Sequence, residues 1–306
     1  AMHDFGALFA SVRHGGRSIG EVIKDNIGGR AYKLFIIFAL IVLILVIAAF
    51  TSVVASTFVS ADAPLFTTGT VTANASTATT SLLFILIAFI FGYFVYRKGA
   101  KIGPASIFGV IGIIVITWIG LKLGFNMNRT AWVVFIAVYI TVVSLLPVWM
   151  LLQPRDYLSS FLLYGMILLA VIGVFGSGAK MEVPAFTSWT LSNGNMLFPT
   201  LFITVACGAI SGFHSLVGSG TTSKQLSSEK DTKIIGYGAM IIECVLALIA
   251  LISVGVIYFL VLDGTFTMSS PPKIFAAGIA TMVAWMTGSE AAAGNSLYDV
   301  VYTLIT

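Results

Sequence analysis

The sequence contains very few charged residues. Only 9% of its 306 residues are Asp, Glu, Lys or Arg, whereas 58% are aliphatic, aromatic, Met or Cys. A soluble domain carries about 25% charged residues, because its surface must face water. This shortage of charge excludes a water-soluble globule, so lipid must be the main solvent of the folded chain. The net charge of +4 is too small and too dispersed to predict a nucleic-acid partner.

Cysteine is scarce as well. Cys207 and Cys244 both lie in apolar stretches, and neither has the CxxC spacing of a metal or redox motif. The chain also lacks HExxH, G-x-S-x-G and the GxxxxGK[ST] phosphate loop. We therefore predict a protein that is not an enzyme and that uses neither a metal nor a cofactor, with a membrane enzyme kept as an alternative.

Long apolar runs account for most of the chain. A membrane-spanning helix needs about 20 mainly apolar residues, and a run such as 34–47 shows none of the alternation that barrel strands require. The pattern predicts an all-α, polytopic integral membrane helix bundle that forms a single transmembrane domain over 1–306. The predicted spans are 34–59, 81–96, 105–123, 130–152, 157–177, 197–217, 234–262 and, with a less regular pattern, 274–290.

The basic residues alternate between the two sides of this helix bundle. Of the 16 Lys and Arg residues, twelve fall on one side of the predicted membrane and four on the other. The positive-inside rule places the more basic side in the cytoplasm. The predicted cytoplasmic loops are 1–33, 97–104, 153–156 and 218–233.

A glycine- and hydroxyl-rich stretch overlaps the end of the sixth predicted span. Glycine permits an interrupted helix, and the free backbone groups of such an interruption are tolerated in a membrane only beside protein or water. There they can hold a polar substrate. The alternative is close helix packing through Gly208-x-x-x-Gly212. The candidate substrate-binding residues are Ser211, Gly212, His214, Ser215, Gly218, Ser219, Gly220, Thr221 and Thr222.

Titratable residues within or beside the spans supply further candidates. His214 exchanges protons near neutral pH, and Glu243 lies about ten residues into a span, where a charged carboxylate is costly. Both are candidate proton-coupling residues, and the alternative for each is a structural hydrogen bond. Glu290 is a weaker candidate because its segment shows no clear helical pattern. Arg155 and Asp156 are predicted to form a cytoplasmic hinge or ion pair, or else an ordinary charged loop.

Four stretches of the chain resemble the carbon starvation protein family, CstA. They are 11–21, 146–158, 206–222 and 235–240, and their order and spacing fit as well. The resemblance implies an inner-membrane, proton-driven transporter for peptides or pyruvate. It also implies an inverted-repeat fold with broken helices, of the amino acid–polyamine–organocation (APC, LeuT-like) kind.

These observations together predict a secondary active transporter in the cell inner membrane. Its expected partners are protons, the lipid bilayer and a small substrate, either a peptide or a carboxylate such as pyruvate. Members of the family are longer, and the chain starts at Ala1 and stops in the apolar segment 304–306, so we expect a fragment of a longer transporter. The alternatives are a channel for a small polar solute and a membrane sensor or enzyme.

Overall fold

The described part of the chain is almost entirely helical. A computed structural model describes residues 2–60, 64–68, 71–181, 183–184, 186, 188–190, 194–209, 212–262, 271–288 and 296–305. The helices are α1 (Met2–Arg13), α2 (Ile19–Asn26), α3 (Gly29–Phe58), α4 (Ala73–Gly92), α5 (Ile102–Lys122), α6 (Arg129–Leu145), α7 (Leu152–Gly176), α8 (Leu197–Ala209), α9 (Gly212–Gly220), α10 (Asp231–Leu262), α11 (Pro271–Met286) and α12 (Ser296–Ile305). A π-helical segment, Tyr93–Arg97, continues α4, and a 3₁₀ turn, Thr222–Lys224, follows α9.

Five of these helices are long and apolar enough to cross a membrane. They are α3, α4 with its π-helical extension, α5, α7 and the segment Asp231–Tyr258 of α10. α6 and the first part of α8, Leu197–Ala206, are apolar but shorter. The prediction of an all-α, multi-pass membrane protein is therefore confirmed.

Several helices differ in extent from the predicted spans. The helix that contains the predicted span 81–96 begins at Ala73, because the small residues from Ala75 to Thr79 are buried and extend the helix. They pack where α5 carries glycine, and a Cβ at Gly120 would overlap the hydroxyl of Thr80. The sequence prediction treated this Ser/Thr/Ala stretch as loop because it is polar by composition, whereas small hydroxyl side chains are good helix-packing residues in membranes.

The span predicted at 130–152 ends early, at Leu145. Leu146 has an extended backbone, as expected for a residue that precedes proline, and Pro147 begins the turn that leads to α7. The predicted loop 153–156 forms the first turn of α7 instead, where Pro154 is tolerated because the N–H groups of that turn lack helical partners in any case. Predicted loops 97–104 and 218–233 likewise contain helix ends rather than loop throughout.

The predicted span 197–217 corresponds to α8 and α9. α8 has a non-helical backbone at Phe198, so neither helix alone has the predicted length. The described residues 212–220 are helical rather than unwound. The predicted span 274–290 corresponds to α11, which ends at Met286 and is buried from Ala276 to Ala284.

The chain divides into two compact units. The first contains 1–48 and 184–248, and the second contains 49–183 and 249–306. In the second unit, β1 (Phe66–Thr68) pairs antiparallel with β2 (Leu123–Phe125), with Phe66 opposite Phe125. Its packing relies on close approaches at glycine: a Cβ at Gly278 would lie 2.6 Å from the Ser253 carbonyl oxygen. A buried Trp132 packs edge-on against Phe58 at 4.9 Å.

Candidate functional site

The first unit is organised around the end of α1. The amide of Gly16 donates to the Ser11 carbonyl at 2.8 Å, and the amide of Gly15 donates to the Val12 carbonyl at 3.1 Å. This is the Schellman arrangement, which requires a left-handed residue after the helix, and Gly15 supplies it with φ +71°. The chain then reverses into α2, whose first turn is capped by Ser18. The glycine pair of the first family-like stretch thus makes a defined turn.

A hydrogen-bonded hub joins α1 to α9. The Ser11 hydroxyl donates to the Ser219 carbonyl at 3.1 Å and to the Arg17 carbonyl at 2.6 Å. The Ser219 hydroxyl accepts from the Ile19 amide at 3.1 Å and donates to the Ser215 carbonyl at 2.8 Å. Ser11 and Ser219 are both fully buried. The hub therefore fixes the ends of α1 and α9 side by side and caps an otherwise unpaired amide of α2.

α10 also packs against α1, at a glycine. A Cβ at Gly236 would lie 3.1 Å from the Phe5 Cα and 3.3 Å from a Leu8 methyl, so only glycine allows this approach without adjustment. Met240, one turn later, is buried. Residues 236, 240 and 243 lie on one face of α10, because positions four and seven apart align on a helix. The packing therefore directs this face of α10, which includes Glu243, toward α1 and α9.

Four titratable side chains form a row at this junction, which we call the His/acid array: His3, Asp4, His214 and Glu243. The Asp4 carboxylate lies 3.2 Å from Nδ1 of His3 and 3.8 Å from Nδ1 of His214. Nδ1 of His214 is also 3.9 Å from Oε2 of Glu243. Asp4 is the most buried member, with a side chain 10% exposed, whereas the side chain of Glu243 is 43% exposed.

The array contains the side-chain types that a proton relay needs. Histidine gains and loses a proton near neutral pH, and a carboxylate on each side can exchange that proton. Transfer requires heavy atoms about 2.6–3.2 Å apart, or one bridging water, so the contacts on both sides of His214 need a small side-chain shift or a water. Glu243 lies 12 residues into α10, which is about 18 Å along the helix from Asp231. Its partial exposure at that depth calls for contact with water or protein, since a charge facing lipid is costly.

The array unites two predicted residues with one that the sequence analysis missed. His214 and Glu243 were predicted separately, and the structure brings them within 4 Å of each other. Asp4 was missed because it lies in 1–33, which was predicted to be a cytoplasmic loop outside the membrane spans. The spacing of Asp4 could have predicted its burial. Asp4 precedes the buried residues Leu8 and Ser11 by four and seven positions, which places it on the buried face of α1.

The other predicted substrate-binding residues fall into two groups. Ser219 is buried within the hub, and Ser215 donates to the Gly212 carbonyl of its own helix. Gly212, Gly218 and Gly220 are different, because a Cβ added at any of them would meet nothing within 4 Å. Close packing among the described residues therefore does not explain why these three positions are glycine. Thr221 and Thr222 follow α9 in the turn, while Ser211 and Glu290 lie outside the described residues.

The basic residues near the hub lie together. Arg13 pairs with Glu229 at 2.6 Å, and Gly16 packs against the Lys224 side chain. The predicted cytoplasmic regions 1–33 and 218–233 therefore meet at one end of the first unit. Within the described residues, no group of three or more His, Cys, Asp or Glu residues is arranged to hold a metal ion.

Arg155 and Asp156 form the predicted ion pair, although in a helix rather than a loop. Nε and Nη2 of Arg155 lie 3.1 and 3.0 Å from Oδ1 of Asp156. The surrounding family-like stretch is tightly packed: a Cβ at Gly92 would lie 2.5 Å from Pro154, and Leu158 is fully buried against Gly109. The start of α7 is therefore held rigidly against α4 and α5.

Comparison with known proteins identifies relatives over most of the chain. The family model described as carbon starvation protein CstA matches residues 1–301. The pyruvate/proton symporter BtsT of Escherichia coli K12 is 32% identical over 89% of this chain and 38% of its own length. The peptide transporter CstA of Bacillus subtilis 168 is 34% identical over 90% of this chain and 45% of its own length.

A third relative, the peptide transporter CstA of Campylobacter jejuni, is 35% identical over 82% of this chain and 36% of its own length. The chain thus spans less than half the length of these curated relatives. No solved structure matches it. The family match over nearly the whole chain agrees with the resemblance seen in the sequence, and the chain belongs to the carbon starvation protein CstA family.

Proposed function

We propose that the protein is a secondary active transporter that imports peptides or a small carboxylate such as pyruvate, and that the His/acid array couples this movement to protons. The observation that carries the proposal is the row of Asp4, His214 and Glu243, with successive contacts of 3.8 and 3.9 Å. Two carboxylates on either side of a histidine, one of them on a helix long enough to cross a membrane, suit a proton relay.

The relatives support the substrate classes. One is named a pyruvate/proton symporter and others are named peptide transporters. Both substrates carry a carboxylate, and the helical stretch around Gly212, Gly218 and Gly220 offers backbone without side chains, against which such a group can approach. An inverted-repeat fold of the APC kind is part of the proposal, as are an inner-membrane location and a cytoplasmic position for the basic end of the first unit.

The test is uptake by the full-length protein in proteoliposomes. Labelled pyruvate and a labelled dipeptide are supplied with and without an inward proton gradient, to the wild type and to Glu243→Gln. We expect saturable, gradient-driven uptake of at least one solute and at least a tenfold loss in the variant. Exchange of labelled for unlabelled solute should survive, because it requires substrate binding but no net proton movement.

Glu21→Gln is the matched control. Glu21 is an exposed carboxylate on α2, in the same unit, and its variant should transport normally. Gradient-driven uptake that persists in Glu243→Gln would refute the coupling role while leaving transport intact. Non-saturable flux that ignores the proton gradient would favour a channel, and the absence of flux for both solutes would count against the transporter proposal.

A further inference from the structure

The second unit contains a cavity with a single charged side chain in its wall. Its volume is about 550 Å³, and α3, α4, α5, α6, α7 and α12 all contribute to its lining. Pockets for small molecules typically measure about 300–1,000 Å³. Most of the lining is aliphatic or aromatic. Among the described residues that line it, Arg155 alone is charged.

Arg155 retains hydrogen-bonding capacity toward this cavity. A guanidinium group has five N–H donors, and Asp156 engages Nε and one hydrogen of Nη2 through a single oxygen. Tyr139 is a further hydrogen-bond partner of Arg155, so at least two donors remain on Nη1 and Nη2, and a pair of such donors suits a carboxylate. Asp156 itself is 66% exposed and does not line the cavity. Tyr139, which does line it, lies beside Arg155.

The cavity extends away from Arg155 along an apolar wall. On α7, the lining positions run from Arg155 through Leu163 to Met166, a rise of about 16 Å. On α4, Gly92 marks the Arg155 end because it lies against Pro154. Thr80 also lines the cavity, twelve residues earlier, and is therefore about 18 Å from that end. The basic group thus lies at one end of a long apolar space.

Two buried hydroxyl groups also lack partners here. The side-chain oxygens of Thr80 and Thr303 are buried and have no hydrogen-bond partner among the described residues. Both residues line the cavity, and Thr303 is only 4% exposed. Each of these oxygen atoms is itself inaccessible to water, so the two hydroxyls lie behind the cavity surface and the lining near them is formed by the other atoms of these residues.

We propose that this cavity binds a medium-chain monocarboxylate, with the carboxylate on Arg155 and the apolar chain between α4 and α7. The described lining provides no acidic side chain for an ammonium group, which disfavours a zwitterionic peptide. It also provides far more apolar wall than pyruvate could cover. This inference concerns binding alone and does not depend on the proposed transport activity.

The first test is calorimetric titration of the full-length protein, in lipid nanodiscs, with butyrate, hexanoate and octanoate. Burial of one methylene is worth about 0.8 kcal/mol, so affinity should rise about tenfold for every two methylenes added. Arg155→Gln should weaken octanoate binding at least tenfold, and Arg155→Lys should weaken it less. Arg129→Gln removes an exposed arginine of the same unit and should leave binding unchanged.

A second pair of variants separates occupation of the cavity from partition into lipid. Leu163→Trp fills the cavity and should abolish binding, whereas Leu168→Trp adds the same ring at a position that is 61% exposed and should not. Equal octanoate binding by all variants would overturn the proposal. A dipeptide such as Leu-Leu, or pyruvate, binding as tightly as octanoate would also overturn it.

Discussion

The most discriminating stability prediction concerns Ser219, a predicted substrate-binding residue that the structure places in the hub. Replacing Ser219 by alanine removes the hydroxyl that accepts from the Ile19 amide, and it leaves the Ser219 carbonyl available to Ser11 and Ser223. The variant removes this hydrogen bond together with the bond that the hydroxyl donates to the Ser215 carbonyl, at a fully buried position and without opening a large cavity.

The expected loss of stability follows from the Ile19 amide, which remains in the variant without its acceptor. The Ile19 amide belongs to the first turn of α2, so it has no helical acceptor. Its hydrogen bond to Ser219 is partly buried, so loss of the acceptor should cost about 1 kcal/mol, the lower end of the range for a donor left without a partner. Ser215→Ala is the control, because the Ser215 hydroxyl donates only to a carbonyl of its own helix and its loss should cost less than about 0.5 kcal/mol. Ser219→Ala should therefore be the less stable of the two variants.

The assay combines unfolding with transport. Thermal unfolding of the full-length protein in detergent should show Ser219→Ala melting below Ser215→Ala, and hydrogen exchange should accelerate at Ile19. Uptake by the molecules that remain folded should keep the wild-type KM. A variant of normal stability with a raised KM would refute the structural interpretation and place the Ser219 hydroxyl at the substrate.

Two further predictions address the array and the packing of α4. Asp4→Asn should reduce gradient-driven uptake as strongly as Glu243→Gln does. Asp25→Asn is the control, because it removes an exposed carboxylate paired with Arg17, and it should transport normally. Equal uptake by Asp4→Asn and Asp25→Asn would exclude Asp4 from coupling. Gly92→Ala should destabilise the protein by about 1–3 kcal/mol, because its Cβ would lie 2.5 Å from Pro154 and 2.9 Å from the Met150 carbonyl oxygen. Gly165→Ala, where the added Cβ meets open space, should instead stabilise α7 by up to about 1 kcal/mol, and unfolding that ranks the two variants the other way would contradict the packing.

The helical membrane architecture could be predicted because lipid imposes it on any chain with so little charge. Boundaries were harder to predict, since they depend on partners. The segment from Ala73 to Thr80 is polar by composition, and only its contact with Gly120 shows why it continues a helix. Pro147 was visible in the sequence, but the apolar run on either side of it concealed the end of α6.

The candidate site was predictable residue by residue but not as an arrangement. His214 and Glu243 stood out because each is costly in a membrane. Their proximity depends on Gly236, which lets α10 approach α1, and periodicity within one helix carries no such information. Asp4 could have been found from its alignment with Leu8 and Ser11. The cavity at Arg155 could not have been predicted from the sequence, because six helices contribute to its wall.

The hub of Ser11 and Ser219 also restricts how α1 can move. Hydrogen bonds from Ser11 of α1 and Ile19 of α2 both end on Ser219, so sliding α1 and α2 together past α9 by one turn would break both bonds. Tilting about this point breaks neither. Asp4 lies seven residues from Ser11, or about 10 Å along α1, so a tilt of about 10° would carry its carboxylate nearly 2 Å. Such a displacement exceeds the roughly 1 Å by which the 3.8 Å contact with His214 is longer than a direct proton-transfer distance. A small tilt of α1 about the hub would therefore change the distance between the Asp4 carboxylate and His214 more than it would change the hydrogen bonds of the hub.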